Sequence, residues 1–450
     1  MEKMTMKTAL KHVAISIAAT VFLTIAAPQS AHAVEVERVV SDSGIEAWLI
    51  RDLSNPITTL KLSFRGGAAL DPDGKEGLAH FVASTLDEGS GDMESNAFQK
   101  ALDDRSITLR FNAGRDSFRG TLRTLNQHRD DAFKYLRLAL TSPRFDDTPL
   151  TRIRAQIISG IKQSEEDPSH LANQEMFEMA FAGHPYARPT LGTVNSLMSV
   201  TPDDMRQFVA TRLVRDNLII GVVGDIDPAT LKTYLDATFA ELPNSTTSWA
   251  LAKTTPQLTG AVKVIDLDVG QSSIQFGQPG IARSSPDFYT AYVLNYILGG
   301  GGFVSRLYEE VREKRGLAYS VYTYLMPLDA SAAVMGGAGT ANERVAETLD
   351  TVRNVWEKFA EDGPTQDELN DAKTYLTGAY PLRFASSSAI SDMLVGIQEE
   401  GMGIDYIDNR NGFIDAVTLS DAKRVAASLF QPKNLSFVIA GRPQGVVATD

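Results

Sequence analysis

Residues 200–227 read VTPDDMRQFVATRLVRDNLIIGVVGDID, and residues 417–444 read VTLSDAKRVAASLFQPKNLSFVIAGRPQ. In both, Val-Thr precedes a helical stretch. An Asn-Leu pair follows 17 residues after the Val, and a Gly closes an apolar strand 7 residues beyond the Asn. The pairs Val200/Val417, Asn217/Asn434 and Gly224/Gly441 are each 217 positions apart. One spacing kept over such a length marks an internal duplication.

Outward from this repeat the chain divides in two. Residues 244–260, NSTTSWALAKTTPQLTG, are rich in Ser, Thr and Pro without strong periodicity, and read as a linker. An N-terminal domain over 36–243 and a C-terminal domain over 261–446 are expected. Each half opens with strand patterns (IEAWLIRD and TTLKLSFRGG, then VKVIDLDV and SSIQFGQPG), continues through helices of 3.6 periodicity and returns to strand. That order predicts an α+β fold: two duplicated domains, each a mixed or antiparallel sheet with helices packed on one face. Strand order within the sheets does not follow from the pattern.

Residues 1–33 carry the marks of an export signal. Lys3, Lys7 and Lys11 precede the apolar run 13–27, and Ala31-His32-Ala33 offers a small-residue cleavage site. A periplasmic protein cleaved near Ala33 is expected, with no membrane association afterwards. The chain has no cysteine, which excludes disulfides and thiolate metal sites. Removal of the leader takes away Glu2 and the three lysines. The remaining 40 basic and 55 acidic residues leave a net charge of −15. Such a surface repels nucleic acid and anionic lipid and suits cationic peptides.

Residues 77–90, GLAHFVASTLDEGS, read as a helix over 78–87 ended by Gly89. Leu78, Phe81, Val82, Thr85 and Leu86 form its buried stripe, while His80, Ala83 and Ser84 share an adjacent face. GLAHF, following a strand that ends in Arg-Gly-Gly, resembles the zinc helix of the inverted-zincin peptidases of the pitrilysin and insulinase family. Their helix carries H-x-x-E-H, two zinc-binding histidines with a general-base glutamate. Here His80 matches the first histidine, Ala83 stands at the glutamate and Ser84 at the second histidine. The resemblance places a third ligand, a glutamate, 76 residues beyond Ser84, in a helix before an Asp-Pro turn. That position is Gly160, in IISGIKQSEEDPS. A methyl group takes no proton from water, and a serine and a glycine do not replace an imidazole and a carboxylate on zinc. No other histidine pair has metal spacing among His80, His128, His170 and His184. No metal or other cofactor is therefore expected in this chain. The segment 183–193, GHPYARPTLGT, has a counterpart after the family's third-ligand helix and reads as a loop that seats two helices.

The resemblance is densest at residues 298–325, LGGGGFVSRLYEEVREKRGLAYSVYTYL. A flexible loop is expected at 299–302, then an amphipathic helix over 303–314 with Leu307 and Val311 on its apolar side. Gly316 stops it, and a strand follows over 317–325. In the family, an Arg and a Tyr seven residues apart in the second domain bind the substrate backbone and the developing oxyanion. They correspond to Arg312 and Tyr319. Read without the resemblance, Arg306, Arg312 and Arg315 are a solvated helix face and Tyr319 a half-buried strand residue.

The resemblance thus implies a subunit inactive alone: the non-zinc chain of a heterodimeric periplasmic metallopeptidase, with zinc in a homologous partner that carries H-x-x-E-H. The processing peptidase of mitochondria divides its machinery similarly. Arg312 and Tyr319 would bind a peptide substrate and stabilise its oxyanion. The other reading is a non-catalytic peptide-binding or structural scaffold protein of the same fold, as in the core subunits of a respiratory complex. No serine or cysteine nucleophile motif supports a different enzyme.

Overall fold

The Val-Thr of each repeat sits at a helix start. In a computed structural model describing residues 35–244 and 250–449, Thr201 caps the helix Pro202–Arg212 and Thr418 caps Leu419–Leu429. Each threonine hydroxyl accepts the backbone N–H three residues on, from Asp204 at 3.2 Å and Asp421 at 3.1 Å. Val200 and Val417 are buried just before the caps. The expected leader 1–33 lies outside the described residues.

The first sheet holds β1 (Glu37–Val40), β2 (Glu46–Arg51), β3 (Ile57–Arg65), β6 (Thr108–Ala113), β7 (Ser117–Leu125) and β8 (Leu218–Gly224), in the order β1-β2-β8-β3-β7-β6. A two-residue ribbon, β4 (Gly89–Ser90) with β5 (Met93–Glu94), stands apart. The second sheet holds β9 (Val262–Asp266), β10 (Gln271–Pro279), β11 (Ala318–Pro327), β12 (Ala332–Ala341) and β13 (Ser436–Gly441), in the order β11-β12-β10-β13-β9. Apart from the extra β1, the second order repeats the first. β2 with β8 and β9 with β13 are parallel, and the other pairs are antiparallel. Val222 lies opposite Leu60 and Ile439 opposite Ile274, so the two strands 217 residues apart meet partner strands whose offset is 214.

The glycines ending the two repeats have a steric reason. Gly224 has φ 154 and Gly441 φ 152. A Cβ on Gly224 would lie 2.3 Å from the Ile57 carbonyl oxygen, and one on Gly441 2.3 Å from Ser272 Oγ. Only a residue without a side chain ends these strands against that neighbour.

Each half has its own core. Leu60, Leu62, Phe64, Phe81 and Leu136 belong to the first. Ile274, Phe276, Trp356, Phe359 and Phe437 belong to the second. Helices of the same half cover one face of each sheet, as expected. The opposite faces are covered by exchange. The helix Pro168–Ala180 lies on β10 and β13 of the second sheet, and the helix Ser387–Glu399 lies on β3 and β8 of the first. Ala172, Met176 and Ala180 thereby pack in one core with Met335, Val438 and Ala440. An apolar face left in water is costly, so a sheet apolar on both sides needs two covers. The linker reading meets a packed segment: Gln257 N donates to Ala180 O at 2.7 Å, Thr254 N to Ala330 O at 2.9 Å, and Leu258 is buried. From Val36 onward the chain forms one compact unit. No helix among the described residues is long and apolar enough to cross a membrane.

Candidate functional site

The helix that opens the degenerate zinc sequence is shorter than expected, Leu78–Ala83 instead of 78–87. Ser84 Oγ turns back onto the His80 carbonyl at 2.9 Å, and Thr85 Oγ1 onto that of Phe81 at 2.7 Å. Such back-bonding competes with the helix ladder, and the chain turns toward Gly89. The anticipated stripe, Leu78, Phe81, Val82, Thr85 and Leu86, is buried throughout. At the helix start, the buried Asp71 carboxylate accepts from Gly77 N at 3.0 Å and Ala79 N at 3.1 Å. Burial pushes this carboxyl up to about 7, against the opposing pull of those N–H groups, Arg212 and Arg188.

His80 is partly buried, and its imidazole makes no hydrogen bond among the described residues. Burial lowers its pKa and favours the neutral ring. Ala83 is buried, and the Ser84 hydroxyl is engaged by the His80 carbonyl. Gly160 lies on the exposed side of the helix Asp147–Ser164, where an added Cβ would meet nothing within 4 Å. Among the described residues, no group of three or more His, Asp or Glu is placed to hold a metal ion. One imidazole beside a methyl, an engaged hydroxyl and a bare backbone does not fit zinc. His184 is occupied structurally, since it accepts from Tyr186 N at 3.2 Å and lies 2.9 Å from Ala252 O. The Tyr186 hydroxyl donates to Asp116 at 2.6 Å and accepts from Ala330 N at 3.0 Å, tying residues of both halves.

The Gly-rich segment of the second half departs from expectation in two ways. Gly299 is packed instead of flexible: it lies in a π-helical turn, Tyr296–Gly300, and a Cβ there would lie 2.5 Å from Thr323 Oγ1. The helix expected over 303–314 also begins later. Phe303 and Val304 sit in a separate 3-10 turn, Gly302–Val304, after Gly302 at φ 60. Ser305 restarts the helix by accepting from Tyr308 N at 3.4 Å. Leu307 and Val311 are buried as read, while Phe303 is left 77% exposed. Residues Tyr308–Glu313 form a second π-helical turn. Such widened turns occur often at functional sites.

Arg312 and Tyr319 are brought together. The Arg312 Cζ lies 4.7 Å from the Tyr319 ring centroid, 4.9 Å from that of Tyr308 and 5.9 Å from that of Phe303. Arg312 Nη1 donates to the Tyr308 hydroxyl. Between Ala318 and Val321 the pairing of β11 with β12 shifts register, a bulge that holds Tyr319 and Ser320. Bulges re-aim side chains, and Tyr319 is 80% exposed with its hydroxyl unbonded among the described residues.

The neighbouring arginines are spent on carboxylates. Arg306 donates two hydrogen bonds to the Glu368 carboxylate, from Nε at 2.6 Å and from Nη2 at 2.7 Å. Arg315 pairs with Glu310 at 2.5 Å. Arg312 alone of the three has no carboxylate within ion-pair distance among the described residues. The solvated-face reading therefore describes Arg315 better than Arg312. Sequence reasoning did not single out Tyr308 or Phe303. The available signal was the i, i+4 spacing of Tyr308 and Arg312 on one helix.

The family described as "Insulinase (Peptidase family M16)" matches residues 47–194. "Peptidase M16 inactive domain" matches residues 199–376. Among curated relatives, the "Non-peptidase homolog YmxG" of Helicobacter pylori is 27% identical over 391 residues, covering 85% of this chain and 89% of its own. The "Uncharacterized zinc protease SCO5738" of Streptomyces coelicolor is 31% identical over 281 residues, 61% of each chain. Among solved structures, the peptidase M16 inactive domain from Pseudomonas fluorescens superposes with a TM-score of 0.85 at 27% identity. It covers 92% of this chain and 99% of its own.

Proposed function

Because the chain belongs to peptidase family M16, we propose that it is the zinc-free subunit of a heterodimeric periplasmic metallopeptidase. The observation that carries this reading is Arg312. Among the described residues it is a cation without a carboxylate partner, beneath an exposed Tyr319, in a chain whose own zinc positions do not fit the metal. The "non-peptidase" name of the Helicobacter relative supports inactivity of the chain by itself.

A homologous partner bearing H-x-x-E-H supplies the zinc. The peptidase-like halves, 36–243 and 261–446 joined by 244–260, clasp against the partner around a chamber that receives a peptide. Arg312 offers permanently charged, forked donors to the backbone carbonyls of that peptide. Tyr319 offers a neutral donor to the oxygen that gains charge as the carbonyl is attacked. The exposed edge of a sheet suits an extended substrate, and β11, which carries Tyr319, is an edge strand. Residues 1–33 direct export and are removed near Ala33, leaving an acidic surface that suits basic peptides.

The test is an affinity pull-down of the mature chain from its native source, followed by peptide-cleavage assays. A similarly sized H-x-x-E-H chain is expected in equal amount, with cleavage by the pair and by neither chain alone. Arg312→Ala and Tyr319→Ala should each lower the pair's turnover about tenfold or more without dissolving the complex. A chain that elutes alone, or a pair indifferent to both substitutions, would transfer the assignment to a peptide-binding or structural scaffold.

A further inference from the structure

Tyr308 is a buried tyrosine beside a cation. The residue is only 6% exposed, yet among the described residues its oxygen serves no main-chain group. It accepts from Arg312 Nη1. Its ring lies 4.9 Å from the Arg312 Cζ, and the exposed Phe303 ring meets it edge-on, at 4.9 Å and 82° between planes. Three aromatic rings therefore surround the Arg312 guanidinium, and one of them also holds it by a hydrogen bond.

We infer that Tyr308 is a positioning residue for Arg312, holding the guanidinium in one orientation with most of its donors free. The inference rests on the peptidase-subunit reading. An arginine side chain loses much rotamer freedom when it acts on a substrate. A carboxylate would also fix it, but would take up the donors and charge that the substrate needs. A phenol oxygen fixes it by one neutral acceptor, and the flanking rings attract the cation while leaving its edge open. The widened turn Tyr308–Glu313 places both residues on one face, and its Lys314 N to Glu309 O bond at 2.9 Å spans five residues. Arg306, fixed by Glu368, is the contrasting case in the same segment: an arginine held for structure.

The test is a double-mutant cycle in the assembled pair. Tyr308→Phe keeps the ring and removes only the oxygen. It should lower kcat about five- to tenfold, with KM changed less than about twofold. On an Arg312→Ala background the same substitution should cost nothing further. Tyr308→Leu, which also removes the ring, should cost more on the wild-type background and again nothing when Arg312 is gone. Equal losses on both backgrounds, or wild-type kcat in Tyr308→Phe and Tyr308→Leu, would overturn the inference while leaving the subunit reading intact. Wild-type turnover in Arg312→Ala would instead remove the reading on which the inference rests.

Discussion

Arg119, on β7 of the first sheet, and Glu399, at the end of a helix from the second half, form a two-pronged ion pair across 280 positions of sequence. Arg119 Nε donates to Oε1 at 3.0 Å, and Nη2 donates to Oε2. Ser63 Oγ donates to the same carboxylate at 2.5 Å, and Arg65 Nη2 to the Glu399 carbonyl at 3.1 Å. One carboxylate thus fastens the exchanged helix to two strands of the other half's sheet.

Glu399→Ala should therefore destabilise the folded chain. The carboxylate is 17% exposed and the guanidinium 42%, so water screens part of the attraction. A loss of about 1–3 kcal/mol is expected by urea denaturation. Glu399→Gln should cost less, since an amide oxygen still accepts from Ser63. An unchanged midpoint in Glu399→Ala would show that apolar contacts alone hold the helix.

Gly160→Ala is expected to act in the opposite direction. The glycine sits inside the helix Asp147–Ser164, and an added methyl would meet nothing within 4 Å. Alanine lowers the entropy of the unfolded chain without new crowding, so stability should rise by about 0.5–1 kcal/mol. A fall in melting temperature would reveal a contact at this position that the folded geometry does not contain.

Asp71 sets a pH dependence. Burial raises its carboxyl from 3.8 to about 7. Its protonated form is favoured in the fold, so its contribution is full below about pH 4 and is lost as pH rises toward 7. Across that window the unfolded chain has released a proton that the folded chain still holds. The loss should reach roughly 2–4 kcal/mol. Asp71→Asn does not titrate. Urea midpoints at pH 5 and pH 8 should show wild type losing more stability than the variant, and parallel behaviour would refute the assignment.

Zinc chemistry gives a further check. Dialysis against a chelator should leave the chain's melting temperature unchanged, because no set of side chains among the described residues fits the metal. A wild-type chain that retains one zinc per molecule through dialysis would contradict this expectation.

Much of the architecture was legible without coordinates because it depends on local rules. Thr201 and Thr418 are N-caps, Gly224 and Gly441 end strands at a close approach, and Leu307 and Val311 keep helical spacing toward the core. The loss of zinc ligands is likewise a matter of residue type: Ala83 and Gly160 carry no ligating side-chain atom in any fold, and the Ser84 hydroxyl is no substitute for an imidazole. Helix ends were read less well. Ser84 and Thr85 bond back to carbonyls and end one helix early, and Gly302 with Ser305 delays another.

By itself, the sequence determined the duplicated α+β halves, the residues Ala83, Ser84 and Gly160 at the degenerate metal positions, and the seven-residue step from Arg312 to Tyr319. These follow from chemistry and periodicity along the chain. Only the tertiary structure decided that each half lends a helix to the other's sheet, and that Glu399 fastens one of them. It alone decided that Arg306 and Arg315 find carboxylates while Arg312 finds Tyr308, Tyr319 and Phe303. The physical reason is one of range. Local propensity is written in neighbouring residues, whereas the partner of a charged group is chosen by which distant surfaces burial forces together.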